Sequence, residues 1–259
     1  MRFALFLLAL LLVPVTAQAA PPAKTILDGF DDLYRGSSAA GRMTMEVVKP
    51  RYTRTLTMDF WSLGKDLTLV RITSPKKEQG MATLKNHNDI WNYLPKVNRT
   101  IKVPASMMGG SWMGSDFTND DLVKENRMAE EYTARLSFEG DRSGHKVYEL
   151  TCVPKPTAAV VWGKVVVRVE QGSLLPLEAR YFKENGALAR TLTFSDPKPF
   201  PDHTQPANQG GSVATRTIPT KLVIVPEGKP GQRTVVTYDT IEFGAKLSPQ
   251  RFRLNSLRR

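Results

Sequence analysis

The side chains able to do covalent chemistry are few and scattered. His87, His145 and His203 stand far apart in polar, turn-like settings; no two have metal-ligand spacing and no cysteine cluster supports them. Cys152 is the only cysteine, so an intramolecular disulfide is impossible. It alternates with Tyr148 and Leu150 on one strand face, where a thiol is buried and inert. Ser111 and Ser115 lie in a glycine-rich stretch, without a Gly-x-Ser-x-Gly elbow and without a histidine close in sequence. A hydrolase built on either serine stays open as one reading. The acidic pairs Asp31-Asp32, Asp120-Asp121 and Glu130-Glu131 fall at expected helix starts or solvated faces. Capping and solubility explain them better than paired-carboxylate catalysis. No Walker loop or dinucleotide fingerprint occurs. The expectation is a non-enzymatic protein with no metal and no cofactor.

The chemistry on offer is apolar. Residues 104–122 carry Met107, Met108, Met113, Trp112 and Phe117, separated by Gly109, Gly110 and Gly114. Methionine and tryptophan supply large, soft apolar surface, and the glycines let the backbone bend. An apolar connection between strands either plugs its own core or waits as a lid over an apolar cavity. We read it as a lid. Trp91 and Tyr93 alternate on a strand just before it, and Met58 and Phe60 alternate on an earlier one. All four are candidates for the cavity wall, with ordinary sheet core as the alternative for Trp91 and Tyr93.

These residues must be positioned by a sheet. Ile26, Leu27, Phe30, Leu33 and Tyr34 recur at helical spacing, with Asp28, Asp31 and Asp32 on the other side. So short a helix must dock on the sheet that follows. From Gly41 the period becomes two, and short alternating runs joined by turns continue towards the lid. Thr118-Asn119-Asp120-Asp121 resembles a capping box and predicts a short helix to about Met128. Strands then resume, and Asn185-Gly186 between alternating runs is the strongest hairpin signal. Residues 196–216, with Pro197, Pro199, Pro201 and Pro206, read as an irregular insertion between two strands. The expected fold is mainly β: an unclosed antiparallel barrel of about eleven strands over short helices, in one domain spanning 20–259.

The chain has 259 residues and a formal net charge of +11. Arg2, the apolar run that follows it and Ala17-Gln18-Ala19 predict a signal peptide over residues 1–19, cleaved near Ala19. No later run approaches the roughly 20 apolar residues of a membrane-spanning helix. The expected location is the periplasm, with no nucleic acid as partner and a monomeric state. The positive charge then favours anionic lipid headgroups or has no specific meaning.

At Trp91-Asn92-Tyr93-Leu94-Pro95, Arg99, Ser106-Met107-Met108 and Ser111-Trp112-Met113-Gly114-Ser115-Asp116-Phe117 the chain resembles the outer-membrane lipoprotein-sorting family, the LolA-like periplasmic lipoprotein carriers. Arg54, Trp61, Ser74-Pro75, Gly80, Asp120-Asp121-Leu122 and Ile218-Pro219-Thr220 extend the likeness over almost the whole exported chain. The resemblance implies an unclosed β-barrel around an apolar hollow. It implies acyl chains of lipoproteins or lipids as ligand, with an inner-membrane transporter and an outer-membrane acceptor as partners. Carriers of this kind hold the lid with one arginine, a role the resemblance assigns to none of Arg42, Arg51, Arg54 or Arg99. The insertion at 196–216 departs from those carriers. Besides a shuttle, a non-shuttling periplasmic lipid-binding sensor or an accessory subunit of a membrane lipid transporter fits the same residues.

Overall fold

The computed structural model describes residues 19–124, 127–207 and 211–258. The expected leader lies outside them but for Ala19. Among the described residues, thirteen strands form one antiparallel sheet. The chain first enters helix α1 (Ala23–Asp32), then makes a six-strand meander: β1 (Ser38–Lys49), β2 (Tyr52–Leu63), β3 (Leu67–Ser74), β4 (Ala82–Asn86), β5 (Asp89–Leu94) and β6 (Arg99–Lys102). After the lid come the short helices α2 (Asn119–Lys124) and α3 (Met128–Glu131). A second meander follows: β7 (Tyr132–Arg142), β8 (His145–Pro154), β9 (Lys164–Glu170), β10 (Pro176–Phe182), β11 (Leu188–Pro201), β12 (Thr215–Pro226) and β13 (Arg233–Phe243).

The last strand pairs with the first, so the two meanders join at β1–β13 and the free edges are β6 and β7. The lid, with α2 and α3 after it, lies between those edges in sequence and links them covalently. Gly41 sits at this seam: a Cβ there would lie 2.0 Å from the Thr240 carbonyl oxygen, so no side chain fits. Asn185-Gly186 makes the expected hairpin, with Gly186 at φ 80°.

Alternation sends one face of most strands inward. Met43, Met45, Leu56, Met58, Leu150, Val167, Leu192, Leu222 and Ile224 form the main core with Ile26 and Leu27 of α1. Part of the outer face of the first meander, on β3 and β4, is buried as well. Two C-terminal turns of 3-10 helix (Pro249–Phe252 and Leu254–Arg258) lay Phe252 and Leu257 against Leu69, Ala82 and Leu84.

Three expectations need correction. The sheet has thirteen strands, not about eleven. The helix after Thr118 does not run to Met128: Arg127 has non-helical backbone angles and α3 starts afresh at Met128, while residues 125–126 lie outside those described. The insertion is partly regular, because β11 and β12 stay paired out to Pro201 and Thr215. Pro197, Pro199 and Pro201 occupy every second position, so their missing N–H groups fall on one side of the strand. β10 pairs only with residues 188–193 of β11, leaving that side without a neighbour. The prolines therefore forfeit no ladder bond and block further pairing.

Candidate functional site

The hollow inside the sheet is filled mostly by α1 and the lid. Phe30 of α1 meets Phe194 edge-on at 5.8 Å, and Tyr34 stacks on Tyr238 at 4.6 Å. From the lid, Trp112 and Phe117 enter the same core, 4% and 9% exposed. The indole N–H donates to Thr83 Oγ1 at 3.1 Å, and Thr83 donates on to Asn92 Oδ1 at 2.7 Å. The tryptophan thus keeps its polar edge satisfied while its rings fill apolar space. A cavity of about 90 Å³ remains, lined by Phe60, Trp112 and Phe117 with Phe30, Tyr34 and Tyr238. It is smaller than the roughly 150 Å³ engineered cavity that holds one benzene. Asp31 and Arg35 are the charged groups on its wall, and Arg35 donates to Thr68 Oγ1.

The other expected site residues disperse. Met58 is fully buried in the main core but does not line the cavity. Trp91 and Tyr93 point the opposite way and pack in the outer cluster under the C-terminal turns. Met113 lies in a separate groove with Arg54, Met81 and Leu94. Met108 is half-buried, and Met107 is 57% exposed.

The lid is braced by its own bonds. Asn119 Nδ2 donates to the Met107 and Gly110 carbonyls at 3.1 and 3.3 Å. Trp112 N–H reaches the Phe117 carbonyl at 2.8 Å. The capping box forms: Thr118 N–H donates to Asp121 Oδ2 at 2.6 Å, and Asp121 N–H to Thr118 Oγ1 at 3.1 Å. Ser115 Oγ donates to the Trp112 carbonyl at 2.7 Å and accepts from Phe117 N–H at 3.2 Å, and Ser111 Oγ donates to the Ser115 carbonyl. Both serine hydroxyls thus serve the turn. Backbone strain concentrates at Met113, whose φ is 48°.

Besides the Trp112–Thr83 bond, three groups of polar contacts, at Arg54, Asp116 and Arg190, fasten this braced unit to the sheet. Arg54 Nη2 donates to the Met113 carbonyl at 2.8 Å, and its Nε lies 3.3 Å from Glu78. Asp116 meets Lys49 at 2.9 Å and accepts from Gln232 and Thr234 at 2.5 and 2.7 Å. Arg190 of β11 holds Asp121 through two bonds of 2.7 and 2.6 Å and donates to the Asp116 carbonyl at 3.0 Å. Its guanidinium also lies over the rings of Tyr181 and Trp162, at 4.3 and 4.5 Å. Of the arginines considered from sequence, Arg54 reaches the lid. Arg42 pairs with Asp59 instead, and Arg51 and Arg99 are exposed.

Sequence reasoning missed Arg190, and it placed Asp121 and Asp31 on solvated faces or helix starts. Asp120 and Asp121 are buried beside the lid. Asp31 is 3% exposed and accepts the backbone N–H groups of Met128 and Ala129 at 2.9 and 3.0 Å, tying α1 to α3. For Asp121 the signal was the capping pattern, which names an acid but not the buried arginine across the sheet.

Burial pushes the Asp31 carboxyl up to about 7, against the pull of those two N–H groups and of Lys65; Asp32 pushes it further up. Burial likewise raises the Cys152 thiol to about 12, as an inert thiol requires. For Asp31 the folded state holds its proton more tightly than the unfolded chain. Its contribution is therefore most favourable below the unfolded value and is lost as pH rises through about 7. The melting temperature should fall between pH 5 and pH 8 by more in the native protein than in Asp31→Asn. Parallel profiles would refute the assignment.

A family model described as an uncharacterized protein matches residues 64–259. A search of curated protein sequences finds no match. Among solved structures, a DUF1329 family protein from Desulfovibrio piger superposes with a TM-score of 0.78 at 20% identity, covering 91% of this chain and 97% of its own. A Vibrio parahaemolyticus domain named for outer membrane lipoprotein sorting gives 0.75 at 22% identity, covering 92% and 98%. A LolA superfamily protein from Nitrosomonas europaea gives 0.72 at 20% identity, covering 92% and 100%. The chain therefore belongs to that uncharacterized family and has the LolA-like fold of the outer membrane lipoprotein-sorting proteins.

Proposed function

We propose that the protein is a non-enzymatic periplasmic carrier that binds acyl chains of lipoproteins or lipids in the apolar hollow and ferries them towards the outer membrane. One observation carries the reading: an apolar plug, Trp112 with Phe117, occupies the hollow but belongs to a self-braced unit held to the sheet by a few polar contacts. Each acyl CH₂ removed from water is worth ~0.8 kcal/mol, so a chain of about sixteen carbons needs a shelter to cross an aqueous space. It must also leave. A plug that refills the empty hollow lowers net affinity, because ligand has to displace it. The cavity left beside the plug is too small for such a chain, in keeping with a closed, empty state. Cargo would arrive from an inner-membrane transporter and pass to an outer-membrane acceptor.

Native mass spectrometry of protein purified from its own periplasm, together with titration by a fluorescent fatty acid, tests the proposal. We expect a co-purifying lipid mass and saturable uptake. Failure of both would remove the carrier reading.

A further inference from the structure

We propose that the sheet end formed by residues 75–81 and 95–99 is a docking surface for anionic phospholipid bilayers. The two segments are the β3–β4 and β5–β6 turns, which a meander places at the same end of the sheet. Between them runs an open groove of about 450 Å³, walled by Met81, Leu94, Pro95, Val97 and Met113 and rimmed by Lys77 and Lys96. Lys76, Lys77, Lys96 and Arg99 are exposed and have no ion-pair partner among the described residues. Glu78, the acid within these turns, faces Arg54. Val97 stands 59% exposed at the tip.

The opposite ends of the same strands lack this imbalance. There Lys65 pairs with Glu130, and Asp66 faces both Arg127 and His87. Between these two ends of the strands, the unpaired cations thus gather at the turns that also expose apolar surface. Cations around an apolar tip suit a bilayer interface, where headgroup phosphates meet the charge and the tip enters the acyl boundary. Three of the four cations are lysines, which meet a fluid array of phosphates as point charges without needing a fixed partner geometry. Val97 and the groove give the surface an apolar component that a purely acidic protein partner would leave exposed. Docking in this way would bring the Met113 side of the lid against the lipid.

This inference goes beyond the carrier reading and stands separately from the acyl hollow. Co-sedimentation of the protein with vesicles tests it. We expect binding to equimolar phosphatidylglycerol–phosphatidylcholine vesicles at low salt, and at least about tenfold weaker binding to pure phosphatidylcholine or at high salt. The triple reversal Lys76→Glu, Lys77→Glu, Lys96→Glu should weaken binding by at least about tenfold, while Lys146→Glu with Lys246→Glu changes it less than about twofold. Val97→Asp, which keeps all four cations, should also weaken it. Fatty-acid uptake measured in parallel separates the two proposals: the triple reversal should leave uptake intact. Equal binding to both vesicle types, or an unaffected triple reversal, would overturn the assignment. So would displacement by soluble glycerol phosphate at matched phosphate concentration. Capture of polyglutamate with no vesicle binding would assign the surface to an acidic protein instead.

Discussion

Replacing Arg190 by alanine should lower the unfolding free energy by about 3–5 kcal/mol, the cost of leaving one partner of a buried ion pair alone. Arg190 is 4% exposed, Asp121 8%. Without the guanidinium, the Asp121 carboxylate keeps only the Thr118 N–H as a charge-stabilising donor among the described residues, and the Tyr181 and Trp162 rings lose their shared cation. The Asp116 carbonyl loses a donor too. Urea denaturation at constant m-value reads the loss directly. Combining Arg190→Met with Asp121→Leu should recover part of it, because an apolar pair incurs no charge-desolvation cost; the missing helix cap sets the remainder. A loss below about 1 kcal/mol for the alanine variant would mean the pair is not buried as described.

Trp112→Ala should separate stability from ligand binding. Truncating a buried tryptophan costs about 3–5 kcal/mol. The indole fills the hollow and engages Thr83, whose hydroxyl would lose its donor. If the indole is what an acyl chain must displace, its removal strengthens fatty-acid binding by about tenfold while weakening the empty fold. Ligand should then raise the melting temperature of the variant more than that of the native protein. Weaker binding in Trp112→Ala would instead make the indole part of the binding surface and end the plug interpretation.

Much of the architecture can be read from residue pattern alone. Alternation in Leu56, Met58 and Phe60 and the Asn185-Gly186 turn express local backbone physics, and the structure keeps both. Alternation also separates the two faces of β5, yet it cannot say which face lines the hollow. That was decided by Phe252 and Leu257, residues about 160 positions away that cover Leu69, Ala82 and Leu84. The arginine fastening Asp121 was hidden for the same reason: Arg190 lies 69 residues further on and reads as an ordinary polar strand residue. Asp31 looked solvated because helical periodicity around α1 ignores the second helix packed over it. Proline counting misjudged residues 197–201, since every second position on an unpaired strand side tolerates proline.

The seam between the first and last strands has a consequence for how the molecule could be taken apart. Cleaving the peptide bond between Gly109 and Gly110 would leave twelve of the twelve adjacent strand pairings in place. Eleven would lie within one fragment or the other, and β1–β13 would be the one strand pairing that joins the two, beside the lid and C-terminal contacts. The protein should therefore work as a pair of complementing halves, expressed separately and reassembled, with its stopper no longer tethered at both ends.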